Sequence, residues 1–195
     1  MSGRGGAWLA LALVLVTGTL AAWGAPPAAL AWQPELAVAQ PWRWWSAAFV
    51  HFSRWHALAN LAGLALVAAL GVVGSLPPRA AAAWCLAWPL THLALLARPE
   101  LALYGGLSGV LHAGVVVAGW HLLRHQRGRC RAIGVALLLG AALKVLLEAP
   151  WGPVLRHPAD WDIAIAPLSH ATGALAGLVC ALLLDRRPAS VPIDP

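Results

Sequence analysis

The sequence predicts an all-α membrane protein with six transmembrane helices. Three observations carry this. Residues of the AVILMFWYC set make up 61% of the chain, against roughly 45–50% apolar in an ordinary soluble domain even with glycine counted. Charged residues make up only 10%, against roughly 25% normally, and mean hydropathy is +0.73. The few charges fall between long apolar windows rather than within them. A soluble globule lacks the charge to cover such a surface, and a disordered chain lacks the polarity.

The windows follow in order. Residues 5–34 carry no charge, and their apolar part runs from Ala7 to Trp23, ending before Pro26-Pro27. Arg4, an apolar core and small residues near 22–25 also fit a signal peptide, but the apolar run is long for one, so a retained span is expected. Further windows are 55–78, 80–97, 101–123, about 132–147 (broken only by Lys144) and 163–184. About 20 mainly apolar residues cross a bilayer as a helix, and about 17 suffice. Backbone groups in lipid must pair internally, which favours helices, and the windows lack the alternation of a membrane barrel. Residues 1–187 read as one membrane domain and 188–195 as a short flexible tail.

Net charge is +6. Basic clusters can bind nucleic acid, but charges placed between spans report membrane orientation instead. With six spans both termini share a side. That side receives Arg4, Arg79, Arg124, Arg127, Arg129, Arg131, Arg186 and Arg187; the other receives Arg43, Arg54, Arg98 and Arg156. The arginine-rich side is expected to be cytoplasmic. Trp8, Trp23, Trp84, Trp120 and Trp161, near predicted span ends, and the cluster Trp42, Trp44, Trp45 and Trp55 are expected at the membrane interface. The stretch 32–55 therefore reads as a partly interfacial loop. The three cysteines, Cys85, Cys130 and Cys180, have no metal-ligand spacing and read as structural.

Polar side chains at membrane depth are costly and mark function by default. Three clusters stand out. In HFSRWHALAN, residues 51–60, His56 and Asn60 share one helix face, while His51 reads as structural. In YGGLSGVLHAG, residues 104–114, Ser108 lies between Gly106 and Gly109 with His112 one turn on. In LSHATGALAG, residues 168–177, His170 precedes Gly173 and Gly177. Singly, each has a plain explanation: a membrane serine bonds its own helix, and spaced glycines permit close packing. Together, a serine and a histidine from two packed helices make a nucleophile–base pair. His56 and Asn60 are placed to donate to a developing oxyanion. There is no H-E-x-x-H zinc motif, and Asp160 and Asp162 lie outside the windows. Haem bound by His56, His112, His121 and His170 stays open as an alternative.

At these residues the sequence resembles the rhomboid intramembrane serine proteases. GLSG at 106–109 resembles the family's G-x-S-G nucleophile motif, HFSRWHALAN its second-helix histidine motif, and His170 with its glycines the sixth-helix base. A narrower resemblance is to rhombosortases, which process proteins with GlyGly-CTERM tails; it rests on GLSGVLHAG at 106–114 and LKVLLE at 143–148. The resemblance implies a rhomboid-like core and a Ser108–His170 dyad. It also implies an oxyanion site of His56, Asn60 and the Ser108 backbone, and no metal or organic cofactor. Tyr104 is a candidate to stack on or orient the base. Gly106, Gly109, His112, Lys144 and Glu148 are supporting candidates, the last two four apart and able to neutralise each other. No acidic residue neighbours His170 in sequence, so a dyad rather than a triad is expected. The implied partners are membrane-anchored protein substrates and the lipid bilayer, with no nucleic acid, in a bacterial inner membrane. A catalytically inactive binding or quality-control protein of the same fold is the alternative.

Overall fold

The computed structural model describes residues 5–159 and 161–185. Arg4, Asp160, Arg186, Arg187 and the tail 188–195 lie outside the described residues. Among those described the chain is all-helical, with two isolated antiparallel bridges and no strand. Six long helices are labelled here α1 (Gly6–Ala21), α2 (Arg54–Val73), α3 (Pro78–Leu93), α4 (Ser108–His125), α5 (Gly128–Glu148) and α6 (Pro167–Leu184). Four segments are long and apolar enough to cross a membrane by length and composition: α2, α3 with its 3-10 extension to Ala97, α5 and α6. Helix α1 is shorter, at 16 residues. Helix α4 is less apolar because it needs less lipid-facing surface: eleven of its eighteen residues are buried by protein.

The helix boundaries differ from the charge-free windows for local reasons. The window from 101 does not start a helix there. Gly106 has φ 138°, a backbone region that only glycine visits readily, so α4 begins at Ser108. Pro167 lacks an N–H and suits the first turn, so α6 begins there rather than at 163. In α2, the Ser53 side chain accepts the His56 N–H at 3.0 Å and caps the helix just before the histidine motif.

Helix α4 sits at the centre, against α5 and α6, with α3 packed on α6. Its contact with α6 is backbone on backbone. A Cβ at Gly173 would lie 1.9 Å from the Gly109 carbonyl oxygen, and one at Gly177 would lie 2.6 Å from that of Ala113. Helix α5 is peripheral: only Gly134 and Ala141 are buried, while Leu139, Leu143 and Leu147 face outward. Such a face is stable only against lipid or another apolar surface.

The tryptophans correct the interfacial expectation in part. Trp8 and Trp84 are fully buried core residues. Their ring centroids are 4.5 Å apart, and each indole N–H donates at 2.8 Å, to the carbonyls of Val67 and Val110 respectively. Those bonds consume carbonyls inside the bundle, the satisfaction a buried indole requires. Trp23, Trp42, Trp45 and Trp55 are exposed. The 32–55 stretch is not a free linker. Trp32 pairs its backbone with Tyr104 in both directions, and buried Arg43 donates to Gln40 Oε1 and to the carbonyls of Ala31 and Ala28.

Candidate active site

Four helix ends converge on one side of the bundle. Ser108 is the first residue of α4, His170 lies in the first turn of α6, His56 in the first turn of α2, and Glu148 ends α5. The glycine contact between α4 and α6 brings the first two together. His170 Nε2 lies 2.8 Å from Ser108 Oγ. The histidine side chain is only 7% exposed.

Beside them is a set of donors. The Phe52 N–H points at His56 Nδ1 at 3.4 Å, which makes Nδ1 the acceptor and leaves the proton on Nε2. That nitrogen faces the backbone at Gly106: a Cβ added there would lie 2.8 Å from His56 Nε2 and 3.9 Å from Asn60 Nδ2. Asn60 is 5% exposed, and its Nδ2 has no hydrogen-bond partner. A buried amide donor without an acceptor is costly and awaits one. The Ser108 N–H adds a third donor, since the first residues of a helix have no acceptor one turn earlier. The helix N-terminus also favours negative charge.

These groups line a cavity of about 220 Å³, roofed by Leu155, Trp161 and Ile163 from the α5–α6 connection. That connection folds back on itself through an antiparallel bridge between Arg156 and Ile165, with both bonds at 2.8 Å. Residues 38–187 match the Rhomboid domain. The chain belongs to the rhomboid family. No curated protein matches the sequence. As a rhomboid it is a multi-pass membrane protein of an intramembrane protease family, one that also contains inactive members and whose substrates are membrane proteins.

The rhomboid's remaining candidates fall as follows. Gly106 and Gly109 flank Ser108 at close approaches: a Cβ would lie 2.8 Å from His56 Nε2 at the first and 2.7 Å from the Ser169 carbonyl oxygen at the second. Lys144 Nζ donates to Glu148 Oε1. Glu148 Oε2 also lies 2.5 Å from His170 Nδ1. The base therefore has a carboxylate neighbour in space although none is near it in sequence, so the ground on which a dyad was expected does not hold. The signal was missed because 22 residues separate the two in sequence. Tyr104 does not stack on the base. Its hydroxyl donates to the Gly106 carbonyl at 3.2 Å, and burial pushes its pKa up, keeping it a neutral donor. The aromatic partner of His170 is His112.

His51 lies outside the spans, with its Nδ1 on the Phe49 carbonyl at 3.1 Å. Burial pushes its pKa down. The haem alternative meets a geometric obstacle. His112 and His170 are stacked 4.3 Å apart, too close for a macrocycle between them, and His121 lies at the opposite end of the bundle beside His125 and Asp185. Those three offer ligand atoms within 4.8 Å of one another. The Asp185 carboxylate, however, already accepts from Arg79, His125 and Trp120.

Proposed function

We propose that this rhomboid is an active serine endopeptidase with six membrane spans, of rhombosortase type, acting on C-terminally anchored membrane proteins near a Gly-Gly pair. The observation that carries the reading is the 2.8 Å contact between His170 Nε2 and Ser108 Oγ, beside an Asn60 amide with nothing to donate to.

In this reading His170 Nε2 removes the Ser108 proton as Oγ attacks the scissile carbonyl carbon. The carbonyl oxygen becomes an oxyanion, held by His56 Nε2–H, the Asn60 amide and the Ser108 N–H. The imidazolium then protonates the leaving nitrogen, and the C–N bond breaks. An acyl-enzyme on Ser108 remains, and water deprotonated by His170 hydrolyses it. The second oxyanion collapses, and the proton on His170 returns to Ser108 as the acid product leaves.

The Gly-Gly preference rests on the resemblance at residues 106–114 and 143–148. Physical chemistry is compatible with it. A scissile carbonyl inside a helix is hydrogen-bonded and hidden, and glycine weakens a helix by about 1 kcal/mol relative to alanine. A glycine pair at a span boundary is therefore poised to unwind, and it lets backbone approach Ser108 closely. The reading sets the enzyme in a bacterial inner membrane with the arginine-rich ends cytoplasmic and the site opening on the other side.

The test is co-expression with a reporter ending in Gly-Gly, an apolar span and a basic tail. Cleavage is expected, lost in Ser108→Ala and sharply reduced when both glycines become valine. Equal cleavage of the valine reporter would leave a general rhomboid protease. Absence of both cleavage and fluorophosphonate labelling would favour the inactive, binding form of the fold.

A further inference from the structure

Glu148, at the end of α5, is held from three directions, two on its carboxylate and one on its main chain. Glu148 Oε2 lies 2.5 Å from His170 Nδ1, and Oε1 accepts from Lys144. The Glu148 side chain is 16% exposed. Behind it, Arg156 Nη1 donates to the carbonyls of Leu147 and Glu148 at 3.2 and 3.0 Å, tying the α5–α6 connection to the helix end. The next residue, Ala149, closes the helix at φ 47°. That conformation is ordinarily left to glycine, and strain of this kind gathers at functional sites.

The tautomer of the base explains what such a carboxylate does. If Nε2 is to accept the Ser108 proton, the neutral ring must carry its own proton on Nδ1. A buried N–H needs an acceptor, and Glu148 Oε2 is the one within reach. We propose that Glu148 is the positioning residue of a Ser108–His170–Glu148 constellation, fixing the tautomer and ring orientation of the base, with Lys144 holding the second carboxylate oxygen. The proposal rests on the protease reading above and deepens it. During attack the Nδ1 proton stays on His170, the Ser108 proton moves to Nε2, and the carboxylate faces the resulting imidazolium without being protonated. Lys144 holds Oε1, so that only Oε2 meets the ring. The other titratable groups around His170 are His112 from α4, His56 from α2 and Tyr104 just before α4; of the α5–α6 connection, Asp162 lies near His56 and Arg156 holds the Glu148 main chain.

The experiment is the second-order rate of Ser108 labelling by a fluorophosphonate, on the full chain in detergent, across the pH range in which histidine titrates, with a thermal melt of each variant. Glu148→Gln is nearly isosteric but uncharged. Its labelling rate should fall by up to about 10⁴-fold, the scale seen when a triad carboxylate becomes an amide. Its acidic limb should move to lower pH, because the ring loses the charge that favours its protonated form. Glu148→Asp should recover part of the rate. Lys144→Met, which leaves Glu148 in place, should reduce it in the same direction but less. Glu148→Gln labelling at the wild-type rate with an unmoved limb, while Ser108→Ala is unlabelled, would overturn the inference and leave the protease reading standing. Equal losses in the Asp and Gln variants with no limb shift would mean support of the fold only, and would also overturn it. Labelling that survives Ser108→Ala would remove the protease reading and this inference together.

Discussion

The imidazole of His112 lies nearly parallel to that of His170, with ring centroids 4.3 Å apart and planes 16° apart, while its Nδ1 donates to the Ser108 carbonyl at 2.7 Å. One side chain thus touches both proposed partners: it covers a face of the base and ties itself to the backbone of the nucleophile. The helical spacing does this, since residues four apart share a face. His112→Phe keeps the stacking surface and loses the bond; His112→Ala loses both. A stacked aromatic pair is worth about 0.5–1.5 kcal/mol beyond its buried area, so the Ala variant should label with fluorophosphonate about 2- to 10-fold more slowly than wild type. The Phe variant should fall between. A Phe variant slower than Ala would show that stacking is not what His112 supplies.

The Ser108–His170 distance depends on backbone contact between α4 and α6. Gly173→Ala would drive a methyl to 1.9 Å from the Gly109 carbonyl oxygen, and helix backbones do not yield as a flexible side chain does. Overpacking typically costs about 1–3 kcal/mol, and the upper end is expected here, with labelling lost because the helices must separate at the site. Gly140→Ala is the control: a Cβ there meets nothing within 4 Å, and alanine is the better helix former. Melting curves and labelling rates should separate the two variants. A harmless Gly173→Ala would refute the claim that this crossing sets the site.

Asn60→Leu removes an amide donor that has no other partner. Losing one oxyanion donor usually costs about 10²–10³ in kcat, with little change in KM. Gly106→Ala should be more damaging, because it combines φ 138° with a methyl 2.8 Å from His56 Nε2. Reporter cleavage under saturating and limiting substrate distinguishes the two effects. If Asn60→Leu raised KM alone, the amide would be binding substrate rather than the oxyanion.

Much of this was legible in the chain. Each charge-free window holds one long helix, because a segment without charges in a chain this apolar has few other fates, but the start of α4 lies seven residues past its window's start, where the Gly106 turn sets it. Ser108, His170, His56 and Asn60 were legible because polar groups inside such windows stand out. The geometry that joins them was not. Glu148 reaches His170 across a connection whose fold depends on the Arg156–Ile165 bridge, a tertiary pairing with no local pattern. Trp8 and Trp84 misled because position near a predicted span end says nothing of which way the ring points: both point inward and spend their N–H groups on carbonyls of other helices. Tyr104 lines the same cavity as the base, but the turn at Gly106 places a backbone carbonyl, not the base, under its hydroxyl.

Acid should weaken the fold through His51. Burial disfavours the charged ring, whose Nε2 has no partner, and outweighs the Nδ1 bond to the Phe49 carbonyl that favours it, so the folded pKa lies below the ordinary value. The unfolded chain then binds more protons than the folded one as pH falls below about 6.5, and stability declines from there toward the lower folded pKa. Tyr104 acts at the other extreme. Its raised pKa means the unfolded chain loses its proton first, so stability falls as pH rises above about 10. Thermal melts in detergent should show the acid decline reduced in His51→Phe. An identical acid limb in that variant would assign the effect to other histidines.

Orientation can be read from one thiol. Cys130 is exposed in the first turn of α5, in the loop that also carries Arg127, Arg129 and Arg131. Cys180 is buried, and Cys85 is exposed midway along α3, where it faces lipid if α3 spans the membrane. An impermeant maleimide needs a thiol in water, so Cys130 is the one it can report. The positive-inside bias predicts that loop in the cytoplasm; on that prediction Ser108 and His170 lie toward the opposite face, because they stand at the other end of α4 and α6. In intact spheroplasts Cys130 should be protected, and it should label once the membrane is permeabilised. A cysteine placed at Ala159, on the connection beside Trp161 and Asp162, should label from outside without permeabilisation. Reversal of the two patterns would invert the topology and put the site on the cytoplasmic side. The proposed substrates present their glycine pair on the outer side of the inner membrane, so that result would exclude them even if Ser108 proved fully reactive.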